Sequence, residues 1–172
     1  MEEYINMKLN ALISMKDKGQ IVYNKDDSIL KEVLSPFTYK KQPFSTKSKD
    51  VLYNIDNKNI IGPFDDKILE IGELGIPGEH NLQNFLAAST CSHLMGISQN
   101  QMVRTLKEFK GVEHRLEHVR TINEVEYIND SKATNINSVI VAINTYDQPI
   151  ILILGGFNKG CLLYTSDAAD EV

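Results

Sequence analysis

Tryptophan is absent from this chain of 172 residues, and cysteine occurs only as Cys91 and Cys161. Two distant cysteines build neither a multi-disulfide scaffold nor a paired CxxC metal cage, which sets those small-domain classes aside. Long apolar runs are missing as well. The longest, 150–154 (IILIL), falls far short of the roughly 20 residues that cross a bilayer, so no membrane association is expected. The opening MEEYINMKLN has neither the basic start nor the apolar stretch of a secretory signal, and the cytoplasm is the expected compartment. Positive charge is not in excess: 18 Lys and Arg stand against 23 Asp and Glu, for a net −5. That balance gives no electrostatic footprint for nucleic acid. The one basic cluster, Lys40, Lys41, Lys47 and Lys49, is broken by Pro43 and reads as a solvated loop. A phosphate-cradling G-x-x-x-x-G-K-[ST] does not occur in the 172 residues either.

What remains is a globular composition, 42% hydrophobic and 24% charged, long enough for one domain or parts of two. Ile5, Leu9, Leu12 and Ile13 recur at the spacing of one buried helical face, predicting a helix over 2–18 that Gly19 ends. QIVYN at 20–24 reads as a strand and 26–35 as a helix. The apolar stretches 51–55 and 60–61 flank Asp56-Asn57-Lys58, a hairpin connection, and 67–71 reads as a further strand. Leu82, Phe85, Leu86 and Leu94 predict a helix over 79–95, with Gly96 in the place of a terminating glycine. Ser98 and Gln101 fit a capping box for a helix burying Met102, Leu106 and Phe109. A linker at 110–113 puts a domain boundary near 112.

Beyond it the pattern predicts strands over 115–122 and 125–128, a helix over 135–146 and a strand over 150–154. The class is α/β, and a parallel strand–helix–strand unit would bring the loops 129–134 and 155–159 side by side at a ligand-binding sheet edge. The closing CLLYTSDAADEV, 161–172, resembles a sequencing adapter read through in frame and is kept out of the fold argument. Met1 opens directly onto a helix, as an internal methionine would.

Chemistry concentrates in the two loops. YINDSKATN, 127–135, packs Asp130, Ser131, Lys132 and Thr134 into five positions. A carboxylate there can hold a ribose or a metal-bound water, and a lysine with a threonine can hold a substrate carboxylate. Asp, Ser and Thr before a helix are equally common as N-caps. GGFNKG, 155–160, permits close backbone approach and offers Lys159 to an anion, although paired glycines after a strand often only turn the chain.

Together with GVEHRLE at 111–117, GEHNLQNFLAA at 78–88 and YINMKLN at 4–10, these loops resemble the Mur ligase family in order, and NDSKATN resembles its D-glutamate-adding branch. The resemblance implies an incomplete P-loop-type central ATPase domain over 1–111 and the start of a Rossmann-like, amino-acid-binding C-terminal domain over 112–160. It implies ATP-dependent amide ligation through an acyl phosphate, joining D-glutamate to UDP-N-acetylmuramoyl-L-alanine in peptidoglycan synthesis, with ATP and Mg2+ required and a monomeric parent protein.

By the same resemblance Asn81, Asn84, Arg115 and Asp130 bind ATP, and Lys8, carbamoylated by CO2, becomes an oxygen ligand for Mg2+. Lys8 borders the apolar stripe, which allows partial burial, although the residues alone favour an ordinary solvated helix lysine. Lys132 and Thr134 face the acyl phosphate, and Thr134 and Lys159 face D-glutamate. Asn158 stands where many relatives carry Asp. His80 reads as part of a helix entry, His114 opens the second domain, and Glu117 and His118 receive no role. Without the phosphate loop the 172 residues alone are expected to be inactive. A folylpolyglutamate-type ligase of the same family and a non-catalytic nucleotide-binding module are the alternatives.

Overall fold

The computed structural model describes residues 2–16, 18–76 and 78–155. Its first element, α1 (Glu2–Ile13), ends about five residues earlier than the apolar spacing suggested. Tyr39 donates its hydroxyl to the carbonyls of Leu12 and Met15, so part of the helix end is satisfied by a side chain rather than by further helix. Ile5, Leu9 and Leu12 are only half-buried and Ile13 is 75% exposed, which corrects the expected buried face.

β1 (Gln20–Asn24), α2 (Ser28–Val33) and β2 (Lys40–Phe44) follow. Asp27 caps α2 by accepting from the amides of Ile29 and Leu30. The two strands run parallel, Gln20 opposite Lys40 and Asn24 opposite Phe44. Residues 40–44 are therefore not the solvated loop expected from their lysines. KKQPF has little strand propensity of its own. In a two-stranded sheet both strands are edges, which is where the missing N–H of Pro43 is tolerated.

β3 (Asn54–Asp56), β4 (Asn59–Ile61) and β5 (Lys67–Glu70) form an antiparallel sheet in that order. Asn57 and Lys58 take φ of 47° and 64°, the two-residue turn whose twist matches a hairpin. The long helix α3 (Glu79–Leu94) lies against β1, β2 and α4 (Gln99–Glu108). Gly96, φ 78°, stops α3 as expected, and Ser98 caps α4 through the amide of Gln101. Phe44, Tyr53, Ile60, Ile68, Leu69, Phe85, Leu86, Met102 and Leu106 close one core. Phe109 does not join it: it stands just past α4 and is 38% exposed.

β6 (Glu117–Ile122) and β7 (Val125–Asn129) pair as an antiparallel hairpin, and α5 (Ile136–Ile143) follows. The expected parallel strand at 150–154 is absent. That stretch pairs with no strand among the described residues, and Ile151 and Ile153 are over 90% exposed. Five apolar residues make a strand only where a neighbouring strand takes up their backbone groups. The parallel unit of this chain is β1–α2–β2 instead. No helix among the described residues is long and apolar enough to cross a membrane.

Candidate functional site

The N-terminal turn of α3 begins at Gly78, whose φ of +105° disfavours any side chain, and whose added Cβ would meet the His80 ring at 2.8 Å. From this turn project His80, Asn81 and Asn84. Asn81 is buried, whereas Asn84, one turn on, is exposed. They open onto a cavity of about 380 Å3, the space between α3, the end of α4, the segment 110–116 and the residues after α5. Ile76, Phe85, Leu106, Phe109, Val112 and Leu116 give it apolar walls. Phe85 and Phe109 meet edge to face, with centroids 6.3 Å apart, so Phe109 serves as a wall rather than as core. The polar side chains at its margin are His80, Asn81, Asn84, Thr105, Lys110, Arg115, Thr145 and Tyr146.

Arg115 reaches the cavity from a tight turn. His114 and Leu116 on either side of it have φ of 67° and 46°, a conformation costing non-glycine residues about 1–3 kcal/mol each. Surrounding groups hold that turn. The amide of His114 donates to Glu117 Oε2 at 2.7 Å, that of Arg115 to the Val112 carbonyl at 3.0 Å, and that of Leu116 to Asp130 Oδ1 at 3.2 Å. The His114 carbonyl accepts from the Lys132 amide at 3.1 Å. Glu117, without a role in the sequence motifs, thus supports this turn, and Asp130 uses one carboxylate oxygen on the protein itself.

Charge in the cavity is mixed. Burial pushes the His80 imidazole below its usual pKa, and Arg115 adds to this while Asp130 opposes it. The ring is therefore held toward its neutral form. Burial likewise raises the Tyr146 hydroxyl, helped by Glu126 and Asp130. His80 lies at the helix entry, as its place in the sequence indicates, and also lines the cavity, whereas Tyr146 is a cavity residue that the sequence did not single out. The adjacent Asn81 was the available signal for His80, whereas nothing in the sequence around Tyr146 points to the cavity.

Of the residues singled out from sequence, Asn81, Asn84 and Arg115 come together at the cavity, with Asp130 immediately behind the Arg115 turn. Lys132 and Thr134 lie on the same loop as Asp130, exposed and outside the cavity lining. That loop folds on itself, Ala133 donating to the Asp130 carbonyl and Thr134 to that of Lys132. The N-cap of α5 is Asn135, whose Oδ1 accepts from the Ser138 amide, so capping does not occupy Asp130, Ser131 or Thr134.

Lys8 is exposed on α1 with its ammonium 5.4 Å from the centre of the Tyr4 ring, the solvated position that the residues alone favour. Lys159, Asn158 and 161–172 lie outside the described residues. Of the expected pair of parallel strands the described residues show only β7, since 150–154 is not a strand, and the loop beyond residue 155 lies outside the described residues.

Among the described residues no group of three or more His, Cys, Asp or Glu could hold a metal ion, and no ion pair joins Lys8 to an acid. The described residues thus do not assemble a Mg2+ shell. They do fit a nucleotide base: an apolar slot flanked by two amides, which both donate and accept, and by a guanidinium suited to phosphate.

A second polar cluster lies at the C-terminal ends of β1 and β2. Asp26 accepts from the Ser45 hydroxyl and from the amide and hydroxyl of Thr46. Burial alone would raise its carboxyl. The bonds from Ser45 and Thr46, with Lys47 nearby, outweigh that and hold it below the usual value. Ser45 in turn accepts from the amides of Lys47 and Ser48, so the network is closed on itself.

The family model for the Mur ligase middle domain matches residues 1–92. A UDP-N-acetylmuramoylalanine–D-glutamate ligase of Clostridioides difficile (strain 630) is 42% identical over 163 residues, covering 93% of this chain and 36% of that protein. One of the same name from Caldicellulosiruptor saccharolyticus is 38% identical over 170 residues, again covering 93% and 36%. The chain thus spans about a third of the length of the curated relatives it matches. Among solved structures, MurF from Acinetobacter baumannii superposes with a TM-score of 0.70 at 17% identity, over 84% of this chain and 32% of that one, which is a likeness of fold.

Proposed function

Because the chain belongs to the Mur ligase family, through that family's middle domain, we propose that it supplies part of an ATP-dependent ligase joining D-glutamate to UDP-N-acetylmuramoyl-L-alanine. The observation that carries this reading is the convergence of Asn81, Asn84 and Arg115 on one apolar cavity, in a chain whose relatives bear that ligase name. The assignment of 1–111 to a P-loop-type ATPase domain and of 112–160 to the start of a Rossmann-like domain, with a boundary near 112, belongs to the same proposal, as do the cytoplasmic compartment and the monomeric parent.

In this reading the adenine of ATP lies in the slot, its faces against apolar side chains and its edge toward the amides of Asn81 and Asn84. Arg115 meets the phosphates, where a fixed cation stabilises charge that develops during transfer. A neutral His80 leaves that charge balance to Arg115 and Lys110, the two cations lining the cavity. The γ-phosphoryl group passes to the carboxylate of the muramoyl substrate, and the amine of D-glutamate then displaces phosphate to leave an amide. Lys132, Thr134 and Lys159 would hold the acyl phosphate and the glutamate carboxylates. Mg2+ supplies charge neutralisation when bound. An exposed Lys8 is open to carbamoylation by CO2, but the acids to complete a metal shell are not beside it among the described residues, and no step is assigned to it.

Titration of the purified chain with a fluorescent ATP analogue tests the reading. Weak saturable binding, reduced about tenfold by Arg115→Ala or Asn81→Ala, is expected, tenfold being about 1.4 kcal/mol. Absence of binding, or binding indifferent to both substitutions, would remove the cavity from the proposal. The same 172 residues are expected to release no phosphate from ATP with both substrates present, since they contain no G-x-x-x-x-G-K-[ST]. Nucleotide binding in the full-length parent without any ligation would instead favour a non-catalytic binding module.

A further inference from the structure

The turn 112–116 raises a question that the cavity alone does not answer. Two of its residues, His114 and Leu116, hold left-handed backbone conformations without being glycine, and Arg115 lies between them. A strained turn of this kind persists only when its surroundings over-determine it. We propose that Glu117 is a positioning residue that fixes this turn so that Arg115 faces the cavity. This inference rests on the nucleotide reading of the cavity.

The geometry behind it is specific. One carboxylate oxygen of Glu117, Oε2, accepts from the His114 amide at 2.7 Å and from Asn129 Nδ2 at 3.3 Å. The imidazole Nδ1 of His114 lies 3.4 Å from the same oxygen and 3.0 Å from Asn129 Nδ2. The carboxylate therefore ties two points together, the amide before Arg115 and the end of β7, with the His114 ring resting beside them against Asn129. Asn129 immediately precedes Asp130, whose carboxylate holds the amide after Arg115. The arginine is thus framed by one acid on each side, both fixed to the β6–β7 hairpin. Neither acid makes an ion pair with the Arg115 guanidinium among the described residues, so its charge stays available to a ligand.

Hydrogen bonds to an ionised acceptor are the strong ones, and replacing the acceptor leaves a donor unmet. Glu117→Gln keeps an acceptor oxygen for the His114 amide, whereas Glu117→Ala removes it. A residue that acts through Arg115 has a signature that general destabilisation lacks: its effect disappears when Arg115 is already gone.

The test is ADP titration of the 172-residue chain followed by 15N NMR, with Arg115→Ala, Glu117→Ala, Glu117→Gln and the Arg115→Ala/Glu117→Ala double variant. Amide exchange is measured in the same samples. Affinity is expected to fall about tenfold in Glu117→Ala, to be largely retained in Glu117→Gln, and to fall no further in the double variant than in Arg115→Ala alone. The amides of His114 and Leu116 should exchange at least about tenfold faster in Glu117→Ala, with core amides on α3 unchanged. Additive losses in the double variant, or Glu117→Ala binding like the parent sequence, would overturn the proposal. If the parent sequence binds no ADP, the nucleotide reading fails. Exchange then decides separately: unchanged protection at 114 and 116 refutes the positioning role, and lost protection at those two amides alone supports it.

Discussion

Residues 20–110 and 115–155 begin from similar material and end differently. Both carry apolar residues at regular spacing, yet among the described residues every buried core side chain lies between Ile21 and Leu106. In the second region Val119, Ile122, Val125, Tyr127, Ile140 and Ile143 remain exposed, and α5 buries none of its residues. The difference is one of partners. α3 has two strands on one side and α4 on another, so its apolar face is enclosed. Among the described residues the β6–β7 hairpin pairs only with itself, and a two-stranded hairpin has no second layer with which to close a core. The candidate site combines the two: the first region supplies the rigid slot, and the second presents Arg115 and Tyr146 to it from polar-braced loops.

The sharpest way to break this contrast is to empty the first core. Ile60→Ala, at a fully buried position, is expected to cost about 2–5 kcal/mol, read from urea denaturation. A loss below 1 kcal/mol would mean that the core is not packed as described. Next in size is Gly75→Ala. A methyl there would lie 2.1 Å from the Phe109 carbonyl oxygen, and the backbone of α4's end cannot step aside cheaply, so about 1–3 kcal/mol is expected.

Asp26 gives a pH test of the same region. Its carboxyl is held below the usual value in the fold, so its contribution is present above the unfolded carboxyl pKa of about 3.9 and is lost as pH falls through the lower folded value. Asp26→Asn should lower stability at pH 7 by about 1 kcal/mol and flatten the loss of stability between pH 5 and 3. An unchanged pH slope would show that the Ser45 and Thr46 bonds contribute little. The smallest effect is expected in the second region: Ile151→Ser, at a position 92% exposed, should stay within about 0.5 kcal/mol. A loss comparable to that of Ile60→Ala would erase the contrast.

The first region was legible from sequence where a local signal carried the structure. Gly96 and Ser98 set the end of α3 and the start of α4, and Asn57-Lys58 made the hairpin turn. It was illegible where a strand owes its existence to its neighbour, as with KKQPF pairing against QIVYN. In the second region the apolar run 150–154 carried a strong strand signal, but a signal of that kind names no partner. Of the site, Asn81, Asn84 and Arg115 could be named from short motifs. Glu117 and Tyr146 could not, because their roles depend on a turn of left-handed residues and on the far end of α5, which no local spacing encodes.

The central claim is that nucleotide binds where the two regions meet. Its most direct test is a 15N NMR map of the chain titrated with ATP. Shifts are expected to concentrate on the amides of Asn81, Asn84, Thr105, Gly111 and Arg115 around the cavity. Shifts gathered instead at Asp26, Ser45 and Thr46, the C-terminal edge of the parallel strands where α/β sheets commonly bind ligands, would contradict it.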